Sequence, residues 1–393
     1  MNADRKLFTL VAILIGISIV LSYSLSVYAT LLFNTNEFHF ALRQAIFGIL
    51  SLTIMFILSL LNPDKWLSPL GFTLFLGSLA LMIAMPFLPA TLVSEVGGAK
   101  RWIKLAGFSL APVEFFKVGF IYFLAWSFSR RLGHHKGMGV ISEFKRFIPY
   151  GVVFVGSMFI IAFLQKDLGQ VVVLGLTLLF MLIFAGSSFK FFISILAGIF
   201  SAVIIFILTE EHRILRIKSW WSLAQNSVLE LLPASIADKL RVPVEVEPYQ
   251  IGHSLNAIHN GGLFGVGLGN GTFKLGFLSE VHTDFILAGL AEEFGFVGVL
   301  TVVVIFLLIL HRIFKIANRS KKQTLYLFSI GIGLLLAFSF MVNAYGISGI
   351  TPIKGLSVPF LSYGGSAMLG AAFGIGMVLM ASKKANMDKG VLK

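Results

Sequence analysis

One carboxylate, Asp284 in the run Ser279-Glu280-Val281-His282-Thr283-Asp284-Phe285, has the setting that proton chemistry needs. It stands where a long polar stretch gives way to an apolar one, and an ionisable group at such an edge needs a reason to be there. As plain structure, a carboxylate near a helix N-terminus caps it and answers its dipole. As chemistry, a partly dehydrated carboxylate has a raised proton affinity and can take the proton of a hydroxyl, such as one on a sugar. His282 beside it reads as a structural or substrate-orienting residue.

Other charged groups stand near apolar runs. Glu114 and Lys117 in Pro112-Val113-Glu114-Phe115-Phe116-Lys117 are three apart, so they share one helix face, and Pro112 suits the first turn. A lysine about one turn inside hydrocarbon must pair, with Glu114 as the nearest partner; the pair either fixes helix packing or lines a polar cavity for an anion, and the two are compatible. Lys100, Arg101 and Lys104 surround Trp102. They serve either as headgroup attraction or as a clamp for phosphate, for which Arg has the better geometry. Arg213, Arg216 and Lys218 form a second, less specific cluster. Asp167 caps a helix or supplies a second acid or cation ligand. Glu292 and Glu293 lie deep enough in an apolar run that they are expected to pair inside a bundle.

The glycine-rich run 261–271 invites a nucleotide-loop reading, but no strand precedes it and no Lys-Ser/Thr pair follows it. Its six glycines in eleven residues instead permit a tight backbone path close to a ligand or a helix end. Absent cysteine excludes thiol chemistry, and no HExxH-like spacing points to a protein-held zinc.

These groups must be positioned by apolar helices. Of 393 residues, 57% are hydrophobic and 12% charged, and the mean hydropathy is +0.91, so lipid is the expected solvent. A spanning helix needs ~20 apolar residues. Ten segments qualify: 7–32, 41–61, 67–89, 112–128, 148–164, 168–186, 189–208, 283–310, 324–347 and 357–381, the fifth and sixth joined by a very tight turn near Asp167. The first is too long for a signal-peptide core and is expected to be retained. Lys and Arg concentrate in segments that share a side with both termini, which places the termini in the cytoplasm. The net charge of +13 is therefore a topology signal and not a nucleic-acid footprint. Two outer segments stand out, 90–111 and the long extracytoplasmic loop 209–282; Trp220, Trp221, Leu231 and Leu232 in the latter point to short helices on the bilayer surface. The expected fold is an all-α polytopic membrane protein forming one domain over 1–393.

The motifs together resemble the SEDS family (shape, elongation, division, sporulation) of peptidoglycan glycosyltransferases. The matching pieces are Gly98-Ala99-Lys100-Arg101-Trp102-Ile103, Pro112-x-Glu114-x-x-Lys117, Gln165-x-Asp167-Leu168-Gly169, Tyr249-Gln250, His282-Thr283-Asp284-Phe285, Glu292-Glu293-Phe294-Gly295 and Pro359-Phe360-Leu361-Ser362-Tyr363-Gly364-Gly365-Ser366. They cover most of the chain in family order, and ten spans is the family topology. Three places depart from the family pattern: Ala111 stands for a usual Gln, Gln165-Lys166-Asp167 for Gln-Pro-Asp, and Ser279-Glu280-Val281 for Pro-Glu. Gly267-Leu268-Gly269-Asn270-Gly271 followed by Lys274 looks like the division type (FtsW-like), whereas Leu290-Ala291-Glu292-Glu293-Phe294-Gly295 is similar to the elongation type (RodA-like); the division type is favoured.

The resemblance implies polymerisation of lipid II at the outer face of the cytoplasmic membrane, at the division septum, with inversion and departure of undecaprenyl pyrophosphate. Asp284 would be the base. Lys100, Arg101, Trp102, Glu114, Lys117, Asp167, Arg213, Arg216, His282 and Ser362 would contact substrate. A divalent cation, Mg or Mn, can share the stabilisation of pyrophosphate, with no ligands assigned. The implied partners are a class B penicillin-binding protein, because no Ser-x-x-Lys transpeptidase centre on a soluble domain is present here, divisome components and membrane lipids. A lipid II flippase is the competing class, but it predicts an inverted repeat with broken helices, and none is found. A non-catalytic scaffold predicts that Asp284 is dispensable.

Overall fold

The computed structural model describes residues 3–388 apart from 97, 106, 132–139, 210, 231–232, 243–248 and 353–354. A helix stands over each of the ten expected spans. They are α1 (Arg5–Leu25) with its short continuation α2 (Val27–Leu32), α3 (His39–Leu60), α4 (Pro63–Ala84), α5 (Pro112–Arg131), α6 (Val140–Phe159), α7 (Leu168–Phe184), α8 (Phe189–Leu208), α12 (Ile286–Asn318), α13 (Gln323–Ile347) and α14 (Gly365–Asp388). Seven helical segments among the described residues are long and apolar enough to cross a membrane, and the apolar stretches of α7 and α8 are shorter. The protein is an all-α, multi-pass membrane protein.

Local signals start these helices. Asp4 caps α1 by accepting from Leu7 N, Asn62 caps α4 ahead of Pro63, and Ser188 caps α8. Packing then sorts them. In α13 and α14, 72% of the apolar window is buried, against 28% in α3, α4 and α12, so the first two form the centre and the others face outward. A tight aromatic cluster of Phe75, Phe116, Phe120 and Phe123 joins α4 to α5.

The segment 90–111 is not helical. It folds as three antiparallel strands, β1 (Val93–Val96), β2 (Ala99–Leu105) and β3 (Phe108–Leu110), pairing Val93 with Ile103 and Ile103 with Leu110. Its turns are set by Gly98 and Gly107, at φ 70° and 88°, a conformation that favours glycine.

The long loop contains helices, as expected: α9 (Glu211–Leu229), α10 (Ala234–Leu240) and α11 (Tyr249–Gly261). Its tryptophans face protein as well as surface. Trp220 Nε1 donates to Gly349 O at 2.8 Å, and Trp221 Nε1 to Leu240 O at 2.8 Å, which ties α9 to the end of α13 and to α10. Leu231 and Leu232 lie outside the described residues.

The glycine run meets a break in α12. Gly295 has φ 64° and ψ −165°, so the helix loses its own bonds there. The run replaces them. Val266 N and Gly267 N donate to the carbonyls of Glu292 and Glu293 at 3.0 Å each, while Phe296 N and Val297 N donate to Gly262 O and Leu263 O at 2.9 and 3.1 Å. A Cβ on Gly265 would stand 2.2 Å from Glu293 O, so the approach requires bare backbone. This fulfils the expectation of a path against a helix end.

Candidate active site

Three helix N-termini and one irregular segment bring the acids together. Asp284 immediately precedes the turn into α12, Asp167 caps α7 by accepting from Gln170 N at 3.2 Å, and Glu114 lies in the first turn of α5. The segment 355–364 packs between them. It was expected to be the first turns of the last span, but Pro359 and the positive φ of Phe360 (62°) prevent a helix, and α14 starts only at Gly365. Ser362 Oγ donates to Thr283 O at 2.7 Å and accepts from Val358 N at 2.8 Å, and Tyr363 N donates to His282 O at 2.9 Å. Asn343 of α13 donates through Nδ2 to both Asp284 O (2.7 Å) and Leu356 O (2.6 Å). The backbone of Asp284 is thus held from two sides.

Its carboxylate is not. Half-buried, it has no hydrogen-bond or ion-pair partner among the described residues, and it faces Gly355, where a Cβ would stand 2.8 Å from Oδ2. Burial raises its pKa from 3.8 to about 7, and the nearby negative charges of Glu280 and Asp167 push the same way. Asp167 is also raised, chiefly by burial, against the opposing bond from Gln170 and the charges of Arg101 and Lys117. A carboxylate that is ionised about half the time near neutrality suits a general base.

The other expected residues have more definite partners. Lys117 Nζ pairs with Glu114 Oε2 at 2.8 Å, and Gln170 Nε2 donates to Glu114 Oε1 at 3.1 Å, so the pair is formed and sits beside Asp167. The cations of β2 are turned to carbonyls. Lys100 Nζ donates to Pro86 O and Leu88 O (3.0 and 2.9 Å), and Lys104 Nζ to Ala90 O (2.9 Å). Arg101 donates through Nε to Gln165 O (2.6 Å) and through Nη2 to Lys166 O (2.8 Å). Arg101 thereby holds the turn that presents Asp167. Trp102 packs against the core from the middle of β2.

His282 is buried between Phe40 and Tyr363, and burial lowers its pKa, which keeps it neutral. Ser362 is 3% exposed, with its hydroxyl engaged by backbone, and it positions Thr283 and Asp284. Arg213 and Arg216 belong to α9, and their side chains lie outside the described residues.

Asn343, Gln170, Glu280 and Gly355 were not singled out as site residues from sequence. Asn343 did leave a signal, a lone amide deep in an apolar helix, which must find partners there. Gly355 left none, because its role depends on which carboxylate faces it. No group of three or more His, Cys, Asp or Glu that could hold a metal ion occurs among the described residues.

Comparison with known proteins places the chain in a family. The family model FTSW_RODA_SPOVE, described as cell cycle protein, matches residues 5–387. The chain belongs to this family. A Helicobacter pylori protein named probable peptidoglycan glycosyltransferase FtsW is 50% identical over 98% of this chain and 99% of its own length. A Haemophilus influenzae protein of the same name is 35% identical over 96% and 89%. Among solved structures, the family's fold recurs in the rod shape determining protein RodA of Thermus thermophilus, with TM-score 0.64, 23% identity and 97% of both chains covered. It recurs again, with TM-score 0.70, 22% identity and 98% of both chains covered, in a structure described as structural coordination of polymerization and crosslinking by a peptidoglycan synthase complex.

Proposed function

We propose that Asp284 is the general base with which this division-type peptidoglycan glycosyltransferase polymerises lipid II. The division type follows the FtsW relatives, the first of them 50% identical over nearly the whole chain. The observation that carries the reading is the half-buried carboxylate of Asp284, without a partner among the described residues, with a pKa raised to about 7 on a backbone held by Asn343 and Ser362. Asp284 takes the proton from the 4-hydroxyl of an acceptor GlcNAc. The freed oxygen attacks the anomeric carbon of the donor MurNAc as the bond to undecaprenyl pyrophosphate breaks, with inversion. Arg101 and Gln170 keep Asp167 and Glu114 in place around the same mouth. A well-placed base is worth ~10²–10⁴-fold.

The site opens on the outer face, where nucleotide donors are absent, so the donor arrives already activated on its lipid. Crosslinking falls to a partner, a class B penicillin-binding protein at the division septum; a peptidoglycan synthase complex sharing this fold supports that reading.

The test is incubation of the purified protein with lipid II in detergent micelles, where there are no two sides to transport between. Glycan strands form with the native chain and not with Asp284→Asn, whose melting temperature is kept. Full polymerisation by Asp284→Asn refutes the assignment, and no polymer from the native chain favours a flippase.

A further inference from the structure

We propose that Lys166 is a specificity-determining residue for this reaction, its ammonium held beside the hairpin turn at Gly98 to take a phosphate oxygen of the donor's diphosphate. The inference rests on the site assignment above and adds a cation to it.

The backbone is the first argument. Lys166 has φ 51°, one of three non-glycine residues in the left-handed region among the described residues, with Asn34 and Phe360. The conformation is imposed from outside. A π-helical turn over Ile160–Leu164 precedes it, Gln165 N and Asp167 N donate to Ile160 O and Ile161 O (3.2 and 3.0 Å), and Arg101 grips the carbonyls of Gln165 and Lys166. π-turns and left-handed residues gather at functional sites. Glycine would occupy this position with no Cβ to crowd the backbone. A lysine here is disfavoured locally, so its side chain needs its own explanation.

The side chain is the second argument. Lys166 is exposed, and its ammonium has no hydrogen-bond or ion-pair partner among the described residues. Its neighbours do: Lys100, Arg101 and Lys104 are engaged with carbonyls, and Lys117 with Glu114. Its Nζ lies 3.0 Å from the point where a Cβ on Gly98 would stand, so the bare turn leaves room for the ammonium.

Electrostatics is the third. The negative charges of Glu280 and Asp167 act on Asp284 at this mouth, and the two cations nearest Asp167 are already engaged, Arg101 with carbonyls and Lys117 with Glu114. A diphosphate entering it is repelled unless a cation faces it, and an ammonium is a compact point charge suited to phosphate.

The test uses the full chain in detergent with Lys166→Gly, Lys166→Gln and Lys166→Arg. Two readings are taken: the KM for lipid II, and inhibition of polymerisation by inorganic pyrophosphate. Lys166→Gly and Lys166→Gln are expected to raise the KM and weaken pyrophosphate inhibition about tenfold, in line with loss of one charge-assisted hydrogen bond. Lys166→Arg keeps both within about threefold of the native chain. Lys166→Gly holds or raises the melting temperature, because it relieves the left-handed residue. An unchanged KM and unchanged inhibition in the folded glycine variant overturn the proposal. Lipid II binding is also measured in an Asp284→Asn background: lysine-independent binding there overturns this inference alone, whereas polymerisation by that background overturns the base assignment alone.

Discussion

Asp284 and the pair Glu292–Glu293 lie within ten positions of one another around the start of one helix, yet they do opposite things. Glu293 is 1% exposed and pairs with Lys274 Nζ at 2.6 Å, with Ser24 Oγ as a further donor. Glu292, fully buried, accepts from Asn260, from Thr272 through both backbone and hydroxyl, and from Phe273 N. These two acids fasten the glycine run and the end of α1 onto the break in α12. Among the described residues Asp284 has no partner for its carboxylate, and other acids lie near it. An acid in a membrane bundle is structural when every lone pair is answered, and reactive when its backbone is held and its oxygens are not.

The sharpest way to break this contrast is Asp284→Asn. Polymerisation of lipid II falls by ~10²–10⁴-fold while the fold stays intact, read by glycan product on gels and by thermal melting in detergent. The opposite result is expected at the other acid. Glu293→Gln leaves Lys274 buried and unpaired and destabilises the fold by ~3–5 kcal/mol in thermal unfolding, and the double change Glu293→Gln with Lys274→Met recovers part of it. If Glu293→Gln instead leaves stability untouched and abolishes chemistry, the division of labour fails.

Arg101→Lys sharpens the comparison further. Lysine cannot donate to both carbonyls as the fork does, so a loss of about 1–2 kcal/mol in stability is expected, together with a fall in kcat through misplacement of Asp167. A brace predicts both effects together; a pure substrate clamp predicts a rise in KM with stability unchanged.

The smallest effect is the pH profile. Asp284 must be ionised to act and its pKa is about 7, so activity climbs through pH 7 and drops about tenfold per unit well below it. Stability runs the other way. A folded-state pKa above the ordinary 3.8 means that this group contributes stability fully at low pH and loses it as pH rises through about 7. Asp284→Asn is expected to flatten that component of the melting temperature against pH, measured by differential scanning fluorimetry from pH 5 to 8.

Much of the fold was legible in the residues. Each of the ten expected spans carries a helix, because hydrocarbon leaves an apolar stretch little choice but to bond its own backbone. The pairing of Glu114 with Lys117 followed from i, i+3 spacing, and the glycine run's approach to a helix end followed from composition. The hairpin at 93–110 and the late start of α14 were not legible. The first depends on strand pairing. The second depends on Ser362 and Tyr363 bonding to residues some eighty positions earlier.

Hydropathy and charge are properties each residue carries alone, and they already make this chain a membrane bundle with acids at its edges. Which acid keeps its oxygens free, and which cations are occupied, was set by folding. Those outcomes depend on partners such as Ser24 for Glu293 and Gln165 for Arg101, which are distant in the chain and meet only when the helices pack.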